Sequence, residues 1–147
     1  MLLLGTKNIG TQTVLADGII NIGSTYRKFC KKNDCGVSTF ARTSQDISLQ
    51  HSGIYHLTAT LVGSGDVAGV VTVQLVENGE IVDGAFSSQT ITTADTELRT
   101  FVIDYYIIVD KDCILGREST LAKTISFTNT GVDATFTSVV VNVEKVV

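Results

Sequence analysis

The chain has two histidines, His51 and His56, and they are its only side chains that ordinarily titrate near neutral pH. Catalysis by either would need a nucleophile to activate and a carboxylate to orient the ring. His51 has Ser52 beside it, but sequence neighbours on an extended segment point to opposite faces, so this is adjacency and not a dyad. No G-x-S-x-G elbow, H-E-x-x-H, phosphate-binding loop or dinucleotide fingerprint occurs. Carboxylates are scattered through turn-like segments, so no glycosidase pair can be named. The expectation is a non-enzymatic protein with no catalytic residue and no cofactor.

Metal chemistry would fall to the three cysteines. Cys30 and Cys35 flank a polar loop, Cys30-Lys31-Lys32-Asn33-Asp34-Cys35, and three readings of it stay open. The thiols are reduced, they close a disulfide across the loop, or they form half of a zinc site. The last needs a second ligand pair, and Cys113, His51 and His56 are not paired at ligand spacing. Asp110, Asp112 and Glu118 lack the calcium-loop pattern, and Asp110-Lys111-Asp112 reads as a plain turn. No bound metal is expected.

The elements that would carry these residues are strands. From Gly53 to Gly84 the chain reads as two long alternating runs, a tight turn and a third run. Over Ile54–Val62, Tyr55, Leu57, Ala59 and Leu61 share one face, and His56, Thr58, Thr60 and Val62 the other. Gly63-Ser64-Gly65-Asp66 reads as a flexible loop. Val70–Val76 sets Val71, Val73 and Leu75 against Val70, Thr72, Gln74 and Val76. Asn78-Gly79 is a strong hairpin signal, because both residues tolerate the positive φ of a type I′ turn. Glu97–Val109 puts Phe101, Ile103, Tyr105, Ile107 and Val109 on one face, and Val102, Asp104, Tyr106 and Ile108 on the other. A strand apolar on both faces is expected to meet protein on both. Val37–Arg42, Asp46–Gln50, Ala122–Asn129 and Thr135–Val146 read as further strands, and Ile19–Ile22 as a short one ending at Gly23. No capped stripe of helical period appears. The pattern predicts an all-β fold of about eight to ten short strands, an antiparallel β-sandwich or jelly roll.

Composition points the same way. A chain of 147 residues can bury roughly 70% of its unfolded surface in one core. Charged residues are only 18%, against about 25% in typical soluble domains, and mean hydropathy is +0.28. No apolar run approaches the ~18 residues of a membrane span, so the excess apolar surface implies a subunit interface and not membrane insertion. Net charge is −4, and the short Arg27-Lys28 and Lys31-Lys32 pairs are no nucleic-acid footprint. The start, Met1-Leu2-Leu3-Leu4-Gly5, has no basic segment and too short an apolar run for a signal peptide.

Gly53-Ile54-Tyr55-His56-Leu57-Thr58, then Val73-Gln74-Leu75-Val76-Glu77-Asn78-Gly79 and Val82-Asp83-Gly84-Ala85, resemble the C1q/TNF-like jelly-roll superfamily. The resemblance covers about Val37 to Val147. The N-terminal stretch and the closing strand resemble small bacteriophage and prophage structural proteins of this fold. The resemblance implies a jelly-roll domain over 37–147, preceded by residues 1–36 as a strand or anchor segment that could also join the sandwich. It implies a homotrimer, located in the virion after synthesis in the bacterial host cytoplasm. The implied role is capsid decoration, head fibre or receptor binding, with other virion proteins and a host surface glycan or receptor as partners. His56, Thr58, Thr60, Val102, Tyr106 and Ile108 would form the subunit interface, with His56 near a threefold axis; the plainer reading of His56 is a partly exposed strand histidine. No collagen-like stalk or calcium cluster accompanies the pattern. A carbohydrate- or cell-surface-binding module outside a virion is the alternative, and it has little aromatic platform: no Trp and four Tyr.

Overall fold

The computed structural model describes residues 2–29, 39–114, 117–120 and 122–147, and the readings of Cys30 and Cys35 lie outside them. In chain order the strands are β1 (Leu2–Asn8), β2 (Gln12–Val14), β3 (Gly18–Ile19), β4 (Ser24–Phe29), β5 (Phe40–Arg42), β6 (Asp46–Leu49) and β7 (Gly53–Gly65). They continue as β8 (Gly69–Glu77), β9 (Glu80–Ile91), β10 (Arg99–Val109), β11 (Lys111–Ile114), β12 (Arg117–Thr120), β13 (Lys123–Asn129) and β14 (Ala134–Lys145). The described residues contain no helix.

Two antiparallel sheets face each other. One runs β10-β7-β14-β1-β4, with β2 also on β14; the other runs β5-β6-β13-β8-β9, with β3 also on β13. The chain crosses repeatedly between the sheets, among other places at β4 to β5, β6 to β7, β7 to β8, β9 to β10 and β13 to β14, as in a jelly roll. The inward alternation of β7 (Tyr55, Leu57, Ala59, Leu61) and of β10 (Phe101, Ile103, Ile107, Val109) meets Val71, Val73 and Leu75 of β8 and Ile125 and Phe127 of β13. Each fully buried large apolar side chain contributes roughly 1.5–3 kcal/mol, so this shared layer holds the sheets together. Asn78 and Gly79 both have positive φ, 50° and 82°, as a type I′ turn requires.

The structure departs from the alternation at several places. Gly63-Ser64-Gly65 is not a loop: it is the buried end of β7, paired with Phe136, Thr135 and Ala134. A Cβ on Gly63 would lie 2.7 Å from Phe136 Cδ1 and from the Thr135 carbonyl oxygen, so only glycine lets the two backbones approach. On β14 the inward parity changes from Ala134 and Phe136 to Val139, Val141 and Val143, because a bulge lies between Phe136 and Ser138. Gln74 and Val76, expected opposite the core face of β8, are buried beside a register shift with β9. The Gln74 amide nitrogen donates there to carbonyl oxygens of Val82 at 2.8 Å, Leu75 at 3.0 Å and Ala85 at 3.1 Å. Lys111 and Asp112 belong to β11, not to a turn, since antiparallel pairing with Thr120 and Ser119 extends them. Ile20 and Ile22 are buried but not in a strand; β3 ends at Ile19. The described strands number 14, more than expected, because several have only two to four residues and no alternation to read.

Candidate functional site

The outward face of the β10-β7-β14-β1-β4 sheet gathers all six residues singled out from the sequence. Antiparallel register sets them in rows. One row reads Tyr106, His56, Glu144, Leu3, Phe29 across the five strands. The next reads Asp104, Thr58, Asn142, Gly5, Arg27, and the third Val102, Thr60, Val140, Lys7, Ser24. Ile108 pairs with Ile54 one row further on.

Among the described residues, His56 alone of the six has a polar network. Its Nε2 lies 2.6 Å from Asp104 Oδ1 and its Nδ1 3.4 Å from Glu144 Oε1. Asp104 is the diagonal cross-strand neighbour on β10 and Glu144 the direct one on β14, both within reach of a strand side chain. The Tyr106 ring stacks on the imidazole at 4.7 Å between centroids and 18° between planes. The Asp104 hydrogen bond raises the His56 pKa above its ordinary value, Glu144 adds to this, and partial burial opposes it. Both ring nitrogens are thus engaged by carboxylates, and neither is open to take a proton from a nucleophile. The geometry fits a carboxylate-flanked surface histidine better than a general base.

Toward the other edge the face is basic. Arg27 Cζ lies 4.8 Å and Lys7 Nζ 5.4 Å from the Tyr26 ring centroid, a pair of cation–π contacts. The Tyr26 hydroxyl donates to Asn142 Oδ1 at 3.1 Å. Leu3, Arg27, His56, Thr58, Asn142 and Glu144 line a depression of about 330 Å³ between the two halves. Val102, Tyr106 and Ile108 stand on the β10 side at 52%, 59% and 54% exposure. Thr60 is also exposed, and Thr58 is half-buried. Among the described residues, no group of three or more His, Cys, Asp or Glu side chains is arranged to hold a metal ion.

His51 is placed elsewhere. Its Nδ1 lies 3.0 Å from Thr39 Oγ1, and its carbonyl accepts from the Tyr55 hydroxyl at 2.6 Å. Burial pushes the Tyr55 pKa up to about 12. This is a structural clasp at the start of β7. Glu144, Asn142, Leu3, Tyr26 and Arg27 were not foreseen as part of the face. Leu3 and Glu144 meet across β1 and β14, which join the two ends of the chain, and no local spacing reveals such a pair.

No protein-family profile and no curated protein matches the sequence. Solved structures do match in fold. The globular domain of zebrafish complement 1qA superposes with a TM-score of 0.63 at 8% identity, covering 100% of this chain and 98% of that one. Murine APRIL at pH 5.0 gives 0.64 at 8% identity, covering 97% and 98%. The PRD1 vertex protein P5, a phage protein, gives 0.56 at 14% identity, covering 99% and 97%. The chain is therefore an antiparallel jelly roll of the C1q/TNF type, a fold it shares with the PRD1 vertex protein.

Proposed function

We propose that this chain is a non-enzymatic bacteriophage virion structural protein, a homotrimer carried on the particle as a capsid decoration, head fibre or receptor-binding component. The observation that carries the reading is the end-to-end likeness of fold to a phage vertex protein, with 99% of this chain and 97% of that one superposed. The outward face of β10 and β7 supports the trimer: it exposes Val102, Tyr106 and Ile108 in one patch beside the small side chains Thr58 and Thr60. Exposed apolar residues in a row are what a neighbouring subunit covers. When protonated, His56 is paired with Asp104 and can enter such an interface at lower desolvation cost than an unpaired ion. In this reading Leu2–Asn8 and Ser24–Phe29 belong to the sandwich, since β1 lies between β14 and β4. The partners are other virion proteins and, for a receptor-binding component, a host surface glycan or receptor.

Antibody-gold labelling of purified particles in the electron microscope tests the virion role. Label at the capsid or its fibres favours decoration or head fibre, and label at the tail favours adsorption. Particles that carry no label while the protein accumulates in infected cells would contradict the proposal.

A further inference from the structure

The charges on the outward face are segregated. Asp104 and Glu144 lie toward β10, and Arg27 and Lys7 lie on β4 and β1. Arg27 and Asp104 stand at opposite ends of one row, so about 19 Å of sheet separates them at ~4.8 Å per strand. They cannot meet within one chain. Arg27 contacts no carboxylate among the described residues, and its guanidinium only overlies Tyr26. Asp104 spends one oxygen on His56 and remains 62% exposed.

We infer that a second copy of this chain docks so that Arg27 of one copy meets Asp104 of the next. This rests on the reading of the face as a subunit interface and adds its register. A cyclic axis along the strands leaves height along the strands unchanged, so the two ends of one row fall at one level in neighbouring copies. The adjacent row follows the same rule: Phe29, 55% exposed, is at one end and Tyr106, 59% exposed, at the other. Cation thus meets anion, and aromatic meets aromatic, in consecutive rows. A twofold axis perpendicular to the sheet would instead bring the β4 edge against its own copy, with Arg27 and Lys7 facing their like. Between the row ends Thr58, Asn142 and Gly5 carry no charge, which lets a neighbour approach closely.

A charge swap tests the register. Arg27→Glu and Asp104→Arg are made singly and together in the full chain, and the association constant is measured by sedimentation velocity across a dilution series. Circular dichroism melts confirm the fold of each variant. Each single change is expected to weaken association about tenfold or more by setting like charges opposite one another, and the double change to restore it to within about threefold. A double variant no tighter than the weaker single variant overturns the register. Ile108→Glu, measured alongside, separates the two claims. If it dissociates the assembly while the swap fails to rescue, the face is an interface with a different register; if it leaves the assembly intact, the interface reading itself fails and the register with it.

Discussion

Ile108→Glu sets the stability of one chain against the stability of the assembly. In the single chain Ile108 is 54% exposed and points away from the core. About half of a fully buried isoleucine's ~2 kcal/mol is at stake in the fold, so glutamate there should cost no more than about 1 kcal/mol. Under a neighbouring subunit the same carboxylate would be buried without a partner, because the charges on its face lie one or more rows away and Asp104 and Glu144 are themselves anionic. That cost is about 3–5 kcal/mol, or about two to three and a half orders of magnitude in the association constant at 1.4 kcal/mol per decade. Sedimentation velocity should therefore show dissociation, while the melt followed by circular dichroism moves by only a few degrees. Val102→Glu, 52% exposed on the same strand, should behave alike. Assembly at wild-type strength in both variants would refute the reasoning.

Three further outcomes follow from the geometry. The bonds to Asp104 and Glu144 raise the His56 pKa above its unfolded value, so their stabilisation is complete below about pH 6.5 and is lost as pH rises through the raised value. The groups facing the ring are Asp104 and Tyr106 on β10 and Glu144 on β14, with Arg27 across the depression; His56→Gln should flatten this part of the dependence of melting temperature on pH. Glu97, held at about 2 by the N–H groups of Thr93 and Thr92, stabilises the β9–β10 connection at neutral pH, and the gap in melting temperature between wild type and Glu97→Gln should close as pH falls from above 4.5 through about 2. The Thr6 hydroxyl is buried with no hydrogen-bond partner among the described residues, so Thr6→Val, of the same shape, should raise stability by about 1–2 kcal/mol in urea titrations; a loss would show that the hydroxyl is satisfied in solution.

The sandwich was legible where alternation is long and local. Tyr55 to Leu61, Phe101 to Val109 and Val139 to Val143 each keep strict period 2 and bury the expected side, and Asn78-Gly79 supplies the turn its chemistry demands. Legibility failed where a bulge shifts parity, as at Phe136, or where glycine serves close packing and not flexibility, as at Gly63 and Gly65. The outward face was half legible. Its β7 and β10 members could be read because each strand shows its own two faces. Glu144, Leu3 and Arg27 join them only through pairing of β14 with β7 and β1, and of β1 with β4. Contacts of such long sequence separation leave no local mark.

The mass of the purified chain in solution weighs the central claim most directly. Sedimentation equilibrium at about 10 μM, a concentration at which even modest interfaces persist, should give a single species of three times 15.7 kDa. A species of 15.7 kDa under those conditions would contradict the account, since the apolar row on β10 would then face water.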